Sequence, residues 1–275
     1  MSDAKLLDRY RIAKPQKVSL KDWDYDDAGP FGAKGKADAE AALADEVARL
    51  DVLQGKLAAS RSHSALMVLQ AMDTAGKDGA IHKVFGPLNA QGVNVYSFKK
   101  PSPLEMSHDF LWRIHRACPV KGDLTVFNRS HYEDVLVVKV HHLVDDEEIE
   151  ARYDHINAFE DTLAHGGACI VKFFLHISKE EQKKRLEARL ADPDKNWKFS
   201  PDDIAERALW SDYRKAYETA IGRCASKRAP WYIIPANRKW YRSWLMARIA
   251  RHHLDDLGLK YPPAAKGLDG ITIPD

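Results

Sequence analysis

Residues Leu66-Met-Val-Leu-Gln-Ala-Met-Asp-Thr-Ala-Gly-Lys-Asp-Gly79 constrain the architecture more than any other stretch of the chain. The run from Leu66 to Met72 is apolar and free of proline, as a strand buried on both faces should be. It breaks into a loop in which Ala75, Gly76 and Gly79 are small enough to let backbone N–H groups close around an anion. Residues 80–88 can start a helix whose positive end faces the same point, and Lys77 adds a mobile positive charge. The match to the general phosphate-loop pattern G-x-x-x-x-G-K-[ST] is partial: Ala71 stands at the first glycine and Asp78 at the metal-binding hydroxyl. A loop without that hydroxyl needs its metal ligand elsewhere, and Asp73 is the candidate. An ordinary strand-to-helix turn can carry similar residues, so the loop alone does not decide the matter.

The rest of the chain alternates between the two hydrophobic periods. Strands are predicted at 93–98, 124–127, 168–177 and 231–234, and helices at 38–59, 103–116, 147–164, 179–190, 202–223 and 239–257. Strands separated by helices imply an α/β fold with a parallel sheet covered on both faces, and right-handed crossovers bring the functional loops to the carboxyl ends of the strands. The predicted layout is one domain over 38–260, an N-terminal arm over 1–37 packed by Trp23, Tyr25 and Phe31, a lid at about 183–205, and a loosely held tail over 261–275.

With 42 basic and 40 acidic residues the formal net charge is only +2, so attraction for a polyanion must come from local clusters and not from an overall field. That is unlike a strongly basic nucleic-acid binder. No run approaches the ~20 apolar residues that span a bilayer, and the N-terminus has no signal-type apolar segment, which predicts a cytoplasmic protein without a membrane partner. Cys118, Cys169 and Cys224 are too scattered for a metal or disulfide pattern, and Cys169 is expected in the core. The acidic run Asp22-Trp-Asp-Tyr-Asp-Asp27 reads as a solvated loop before it reads as a metal site.

Four rim segments collect the chemistry. The first holds Asp73 and Lys77. The second, Lys99-Lys100, follows a strand and could meet a phosphate chain, or be a solvated loop. The third, Asn128-Arg-Ser-His-Tyr-Glu-Asp134, begins where phosphate-loop kinases carry a metal-binding carboxylate, yet has Asn128 there, with Glu133 and Asp134 later. Asp73 and Asp134 together would suit magnesium, which rarely has an all-protein cage. His131 is read as a structural histidine ahead of a base or ligand. The fourth runs from Lys183 to Pro201: Arg185 and Arg189 share a helix face, and the Pro-bounded segment beyond them brings Lys195 and Lys198 over the site. In sum these parts have the chain order of a phosphoryl-transfer enzyme.

Five motifs carry a resemblance: Ala71-Met-Asp-Thr-Ala-Gly-Lys-Asp-Gly79, Ser107-His-Asp-Phe-Leu-Trp-Arg-Ile-His115, Phe127-Asn-Arg-Ser-His-Tyr-Glu-Asp-Val-Leu136, Lys172-Phe-Phe-Leu-His-Ile-Ser-Lys179 and Asn196-Trp-Lys-Phe-Ser-Pro201. From about Trp23 to His253 the chain resembles the polyphosphate kinase 2 family, and its Asn-Arg-Ser-His-Tyr-Glu-Asp segment is similar to the class III branch. The resemblance implies a three-layer phosphate-loop kinase fold with a helical lid, and reversible transfer of the terminal phosphate of inorganic polyphosphate to AMP, to ADP, or to both in sequence, AMP to ADP to ATP. It also implies magnesium, with manganese as the alternative, and a homo-oligomer, dimer or tetramer. Carried over by position, Asp73 and Asp134 hold metal, and Lys77 and Arg129 grip the transferring phosphate. Ala75, Gly76, Asp78 and Gly79 cradle phosphate, while Arg185, Arg189 and the lid screen its charge. Lys83, Lys99, Lys100 and Lys198 line the polyphosphate path, and Asn128 and Glu133 meet the nucleotide. Class I members have Asp where Asn128 stands, so a role borrowed from that Asp does not transfer. The rivals are an ATP-dependent nucleotide or small-molecule kinase and a nucleotide-binding protein with a vestigial site.

Overall fold

The structure, a computed structural model, describes residues 3–267 and 271–273. Six strands form one sheet: β1 (Arg11–Ile12), β2 (Ser64–Ala71), β3 (Val93–Ser97), β4 (Leu124–Asn128), β5 (Ala168–His176) and β6 (Trp231–Pro235), in the spatial order β1-β6-β5-β2-β4-β3. All neighbours are parallel except β1, which pairs antiparallel with β6 through Arg11↔Tyr232 and Ile12↔Trp231. The five longer strands lie where the hydrophobic pattern put them. The two-residue β1 is too short to show a period, so the predicted arm in fact supplies the sixth strand.

The helices, in chain order, are α1 (Asp3–Asp8), α2 (Lys36–Ser60), α3 (Lys77–Val84), α4 (Pro103–Met106), α5 (Trp112–His115), α6 (Glu133–Val140), α7 (Asp146–His165), α8 (Lys179–Ala191), α9 (Asp202–Ala208), α10 (Trp210–Arg223) and α11 (Lys239–Asp255). Three differences from the sequence reading matter. The helix expected over 103–116 is two short pieces, the first ended after a Ser102–Glu105 capping box at Ser107. The helix expected over 202–223 breaks at Leu209. Helix α6, unpredicted, puts Glu133 and Asp134 in a helical first turn.

β2 explains why the sheet is the frame of the molecule. All eight of its residues are buried. Its period-two alternation sends Leu66 and Val68 into the layer formed with α6, α7 and α10, and Ala65, Met67 and Leu69 into the layer formed with α2, α3 and α11. Full burial of a Leu or Val side chain is worth about 1.5–3 kcal/mol. A one-residue slip would exchange the two layers, so the register, and with it the position of the loop at Met72, is strongly fixed. β2 leads to the loop beside β4, and the crevice beyond these strand ends is where an open α/β sheet places its ligand.

Cys118, Cys169 and Cys224 are all free thiols; Cys224 is the buried one, and Cys169 is only half-buried. Asp27, the last of the acidic run, accepts from Arg9 (2.8 Å) and from the Tyr10 hydroxyl (2.7 Å), tying the arm to itself. In the tail, residues 261–267 and 271–273 carry no helix or strand, and 268–270 and 274–275 lie outside the described residues.

Candidate active site

The loop after β2 is gripped from behind. Gly76 has φ +94°, and a Cβ there would lie 2.5 Å from the Arg242 guanidinium, so both conformation and space require glycine. Arg185 donates from Nη1 to the carbonyls of Thr74 (3.2 Å) and Ala75 (2.8 Å), and from Nη2 to those of Ala236 (2.7 Å) and Asn237 (3.1 Å). Arg242 donates to the Gly76 carbonyl at 3.1 Å, and Gln182 donates to the Asp73 carbonyl at 3.1 Å. Carbonyls held to the rear leave the first-turn N–H groups of α3, which have no intrahelical acceptors, to face the crevice. Ala75 is an exception among the expected phosphate contacts: its N–H donates to the Met72 carbonyl. The Lys77 ammonium rests 3.3 Å from the Ala71 carbonyl. Burial, and then the nearby Arg129, pull its pKa below the usual lysine value.

The segment after β4 faces this loop. Arg129, at φ +63°, donates to the Asp73 carboxylate at 3.2 Å. Thr74, at φ +61°, is also in the left-handed region, a strain of about 1–3 kcal/mol per non-glycine residue of the kind that collects at functional sites. Asn128 closes the strand-end gap, donating to the Asp78 carboxylate at 2.7 Å. Asp78 is therefore engaged with its neighbour and does not face the crevice alone.

The expected pairing of Asp73 with Asp134 is not formed. The Asp134 carboxylate is 3.5 Å from Arg113 and 4.0 Å from Arg152, on the other side of α6. Glu133 is the acid that lines the cavity with Asp73 and Arg129. Consecutive helical residues project about 100° apart, which is why one acid enters the cavity and the next cannot. Burial pushes the Glu133 carboxyl above the usual carboxylate range, against the pull of Arg129 and Lys77.

Arg185, expected to screen phosphate charge, has its donors taken by four carbonyls and, through Nε, by Glu181 (2.7 Å), so it is a clamp on the loop. Arg189 is half-buried, 3.6 Å from Asp203 of α9. Lys198 is exposed in the predicted lid, with its ammonium over the Trp197 ring. Lys83, Lys99 and Lys100 are exposed. The last two line an open groove of about 510 Å³ with Arg113 and Arg116, at the carboxyl end of β3.

The cavity beside the loop measures about 220 Å³ and adds Trp210, Tyr213, Tyr217, Glu206 and Val137 to the residues already named. Tyr217 donates to the Ala71 carbonyl at 3.0 Å, and Tyr213 donates to Glu206 at 2.6 Å, with His141 2.9 Å from the same carboxylate. None of these α10 residues was singled out from the sequence, where they read as an amphipathic helix. His131 is wholly buried, 3.2 Å from Glu160, in a network where Lys172 donates to Glu160, to the Tyr132 hydroxyl (2.9 Å) and to the Cys224 carbonyl (2.6 Å). That network anchors the segment leading into α6.

A parallel sheet whose central strand ends in a glycine loop with a lysine and an acid, faced by an arginine from the adjacent strand end, defines a phosphate-loop phosphotransferase of the kinase type. Residues 33–261 match the polyphosphate kinase 2 family, and the chain belongs to it. It is 47% identical over 267 residues to an AMP/ADP-polyphosphate phosphotransferase of Meiothermus ruber, covering 97% of this chain and all of that one. It is 41% identical to an ADP-polyphosphate phosphotransferase of Rhodopseudomonas palustris, covering 92% and 91%. The crystal structure of polyphosphate kinase 2 from Arthrobacter aurescens TC1 superposes with a TM-score of 0.90 at 45% identity, covering 96% of this chain and 93% of that one.

Proposed function

We propose that this enzyme moves the terminal phosphate of inorganic polyphosphate onto AMP and onto ADP, so that polyphosphate alone carries AMP to ATP. The observation that carries the reading is the convergence of Arg129 and the acids Asp73 and Glu133 on one cavity walled by Trp210, Tyr213 and Tyr217, with Lys77 near enough for all three charges to act on it. The wall offers aromatic surface to an acceptor nucleotide, and the groove of Lys99, Lys100, Arg113 and Arg116 offers charge to an extended polyanion. The name of the Meiothermus ruber relative, for AMP and ADP, supports both steps, and that of the Rhodopseudomonas palustris relative, for ADP, supports the second.

The acceptor oxygen is already anionic, so little general-base power is needed; the task is to hold two polyanions in line. Lys77 and the first-turn N–H groups of α3 bind the transferring phosphate, and Arg129, oriented by Asp73, reaches it from the opposite strand end. Trp210, Tyr213 and Tyr217 narrow the cavity and exclude water, limiting hydrolysis of the donor. Asp73 and Glu133 fit a magnesium or manganese ion, because such an ion needs only one or two carboxylates and completes its shell with water and phosphate oxygens. When bound, it supplies charge that offsets the repulsion between donor and acceptor. Exchange of one phosphoanhydride for another makes the transfer reversible.

The test is purified protein with polyphosphate, magnesium and either AMP or ADP, without ATP, followed by chromatography of all three nucleotides. ATP formed from each acceptor is expected. ADP as the end product from AMP, or no reaction of AMP, would overturn the two-step reading; activity only with ATP as donor would make this an ordinary kinase. We also place the enzyme in the cytoplasm as a homo-oligomer, dimer or tetramer, without nucleic-acid partners, on the strength of the family likeness; among the described residues no helix is long and apolar enough to cross a membrane.

A further inference from the structure

Arg242 lies in the middle of an apolar stretch of α11, and its side chain is 3% exposed. Its hydrogen bonds all go to neutral acceptors: the Gly76 carbonyl at 3.1 Å, the Ala75 carbonyl at 3.5 Å and the Ser243 hydroxyl at 3.2 Å. Its Nε has no partner, and no carboxylate among the described residues lies within ion-pair distance of it. The other arginine behind the loop differs, since Arg185 is neutralised by Glu181 at 2.7 Å. Burial, with the Arg185 charge beside it, lowers the Arg242 pKa to about 10, the sign of a cation held where its charge is not welcome. A buried cation without a counter-ion is costly unless something else compensates it.

The geometry points to a positioning role: Arg242 is the built-in positive charge of the phosphate loop, and its missing counter-ion is the oligophosphate that the loop binds. The inference rests on the proposed transfer from polyphosphate and adds a residue to it. Two physical effects follow from the contact at Gly76. The carbonyl of Gly76 and the N–H of Lys77 belong to one peptide group, so a charged donor on the carbonyl polarises the N–H that faces the anion. The guanidinium also fills the space that a Cβ on Gly76 would take, 2.5 Å away, so it fixes the loop in the left-handed turn at that glycine. Arg242 does not touch the transferring group; it acts through the peptide that does.

Two variants separate charge from shape, with tripolyphosphate as the probe and thermal unfolding and steady-state kinetics as readouts. Arg242→Gln keeps a donor and removes the charge. Its unfolding midpoint without ligand should equal or exceed that of the wild type, its stabilisation by tripolyphosphate should largely vanish, and its KM for polyphosphate should rise on the order of 10-fold, less than for a donor in direct contact. Arg242→Lys keeps the charge and loses the fork. Its affinity for tripolyphosphate should stay within about 3-fold while kcat falls, because an ammonium lacks the planar fork that bonds the Gly76 carbonyl through Nη1 and is braced on Ser243 through Nη2. A Gln variant with an undiminished tripolyphosphate response, or a lowered midpoint alone, would reduce Arg242 to packing. A Lys variant that loses affinity would show that shape and not charge is what matters, and it decides the point even where Arg242→Gln does not fold. Wild-type protein that tripolyphosphate fails to stabilise would instead overturn the oligophosphate site itself, and Arg242's role with it.

Discussion

Glu133→Gln and Asp134→Asn, neighbouring and isosteric, should have opposite consequences. Asp134 sits between Arg113 and Arg152, whose side chains are 8% and 14% exposed, so solvent screening is weak there. Neutralising it leaves two guanidinium groups short of a charge. Neither is abandoned, because Arg113 still donates to the Lys99 carbonyl at 2.8 Å and Arg152 to Glu148 at 2.8 Å. Burial also holds the Asp134 carboxyl above the usual carboxylate range, against the pull of Arg113 and Arg152, which offsets part of that loss, so the cost should fall well below that of a wholly buried ion pair, at about 1 kcal/mol. At roughly 2–4 °C per kcal/mol for a domain of somewhat smaller size, the unfolding midpoint should drop by roughly 2–4 °C. Turnover, measured as ATP from ADP and polyphosphate with the protein kept below its transition, should change by less than about 3-fold. Glu133→Gln removes a carboxylate that burial already disfavours, so the midpoint should hold or rise, while turnover should fall by on the order of 10²-fold. The pH dependence has the matching sign. Because the Glu133 carboxyl is raised above the usual range in the metal-free protein, a proton competes with magnesium for it, and the magnesium concentration that gives half-maximal turnover should rise as pH falls, starting above the pH at which an ordinary glutamate titrates. The reasoning fails if Asp134→Asn is inactive at normal stability while Glu133→Gln retains near-normal turnover.

Lys77→Ala should cost on the order of 10²-fold or more in turnover with an intact circular-dichroism spectrum and melting curve, and a folded variant of near-normal activity would remove Lys77 from the chemistry. The KM for polyphosphate should climb steeply with salt at fixed free magnesium, since the exposed charges of the Lys99–Lys100 groove are screened beyond ~8–10 Å at physiological ionic strength; a flat response would place donor binding elsewhere. Lys172→Met strands Glu160 in the core and should destabilise by about 3–5 kcal/mol in denaturant titrations, with Lys172→Met/Glu160→Gln recovering most of that. The Glu160 carboxyl is held below its usual range by Lys172 against the cost of burial, so the stability it contributes is present above the unfolded carboxylate pKa and is lost as pH falls through the folded one. The deficit of Lys172→Met should accordingly shrink on acidification, and a deficit independent of pH would argue against an ionised Glu160.

The five longer strands could be read from the sequence because runs such as Val93 to Phe98 are β-branched and aromatic, and because Leu66 to Ala71, though rich in helix-forming residues, is too short between its loop residues for a buried helix. The loop of Asp73 to Gly79 was legible as a turn, since a glycine at φ +94° is a local requirement, but the space that Arg242 takes beside Gly76 was not. What the sequence hid was phase. Without knowing that α6 starts at Glu133, nothing distinguishes Glu133 from Asp134 as the acid that shares a cavity with Asp73. Arg185 was placed on the correct helix face, yet only the tertiary fold reveals that the carbonyls of Thr74, Ala75, Ala236 and Asn237 take up its donors. Arg242 was invisible for a further reason: within Trp240-Tyr-Arg-Ser-Trp244 it interrupts an apolar run with no spacing that marks function, and its meaning depends on a contact 166 positions away.

The antiparallel pairing of β1 with β6 bears on where this protein can be cut. The family match begins at residue 33, so a fragment trimmed to it would discard β1. With β1 go the acceptance of the Ile233 N–H by the Tyr10 carbonyl at 2.9 Å and the contact of the Tyr10 and Tyr241 hydroxyls at 2.7 Å. β6 is buried along its whole length and reads Trp-Tyr-Ile-Ile-Pro. Stripped of its neighbour, it becomes an open apolar edge with unpaired backbone groups, a template for chain-to-chain pairing. A deletion library should therefore show soluble expression collapsing as the cut passes Tyr10, well before it reaches the family boundary or any residue of the phosphate loop.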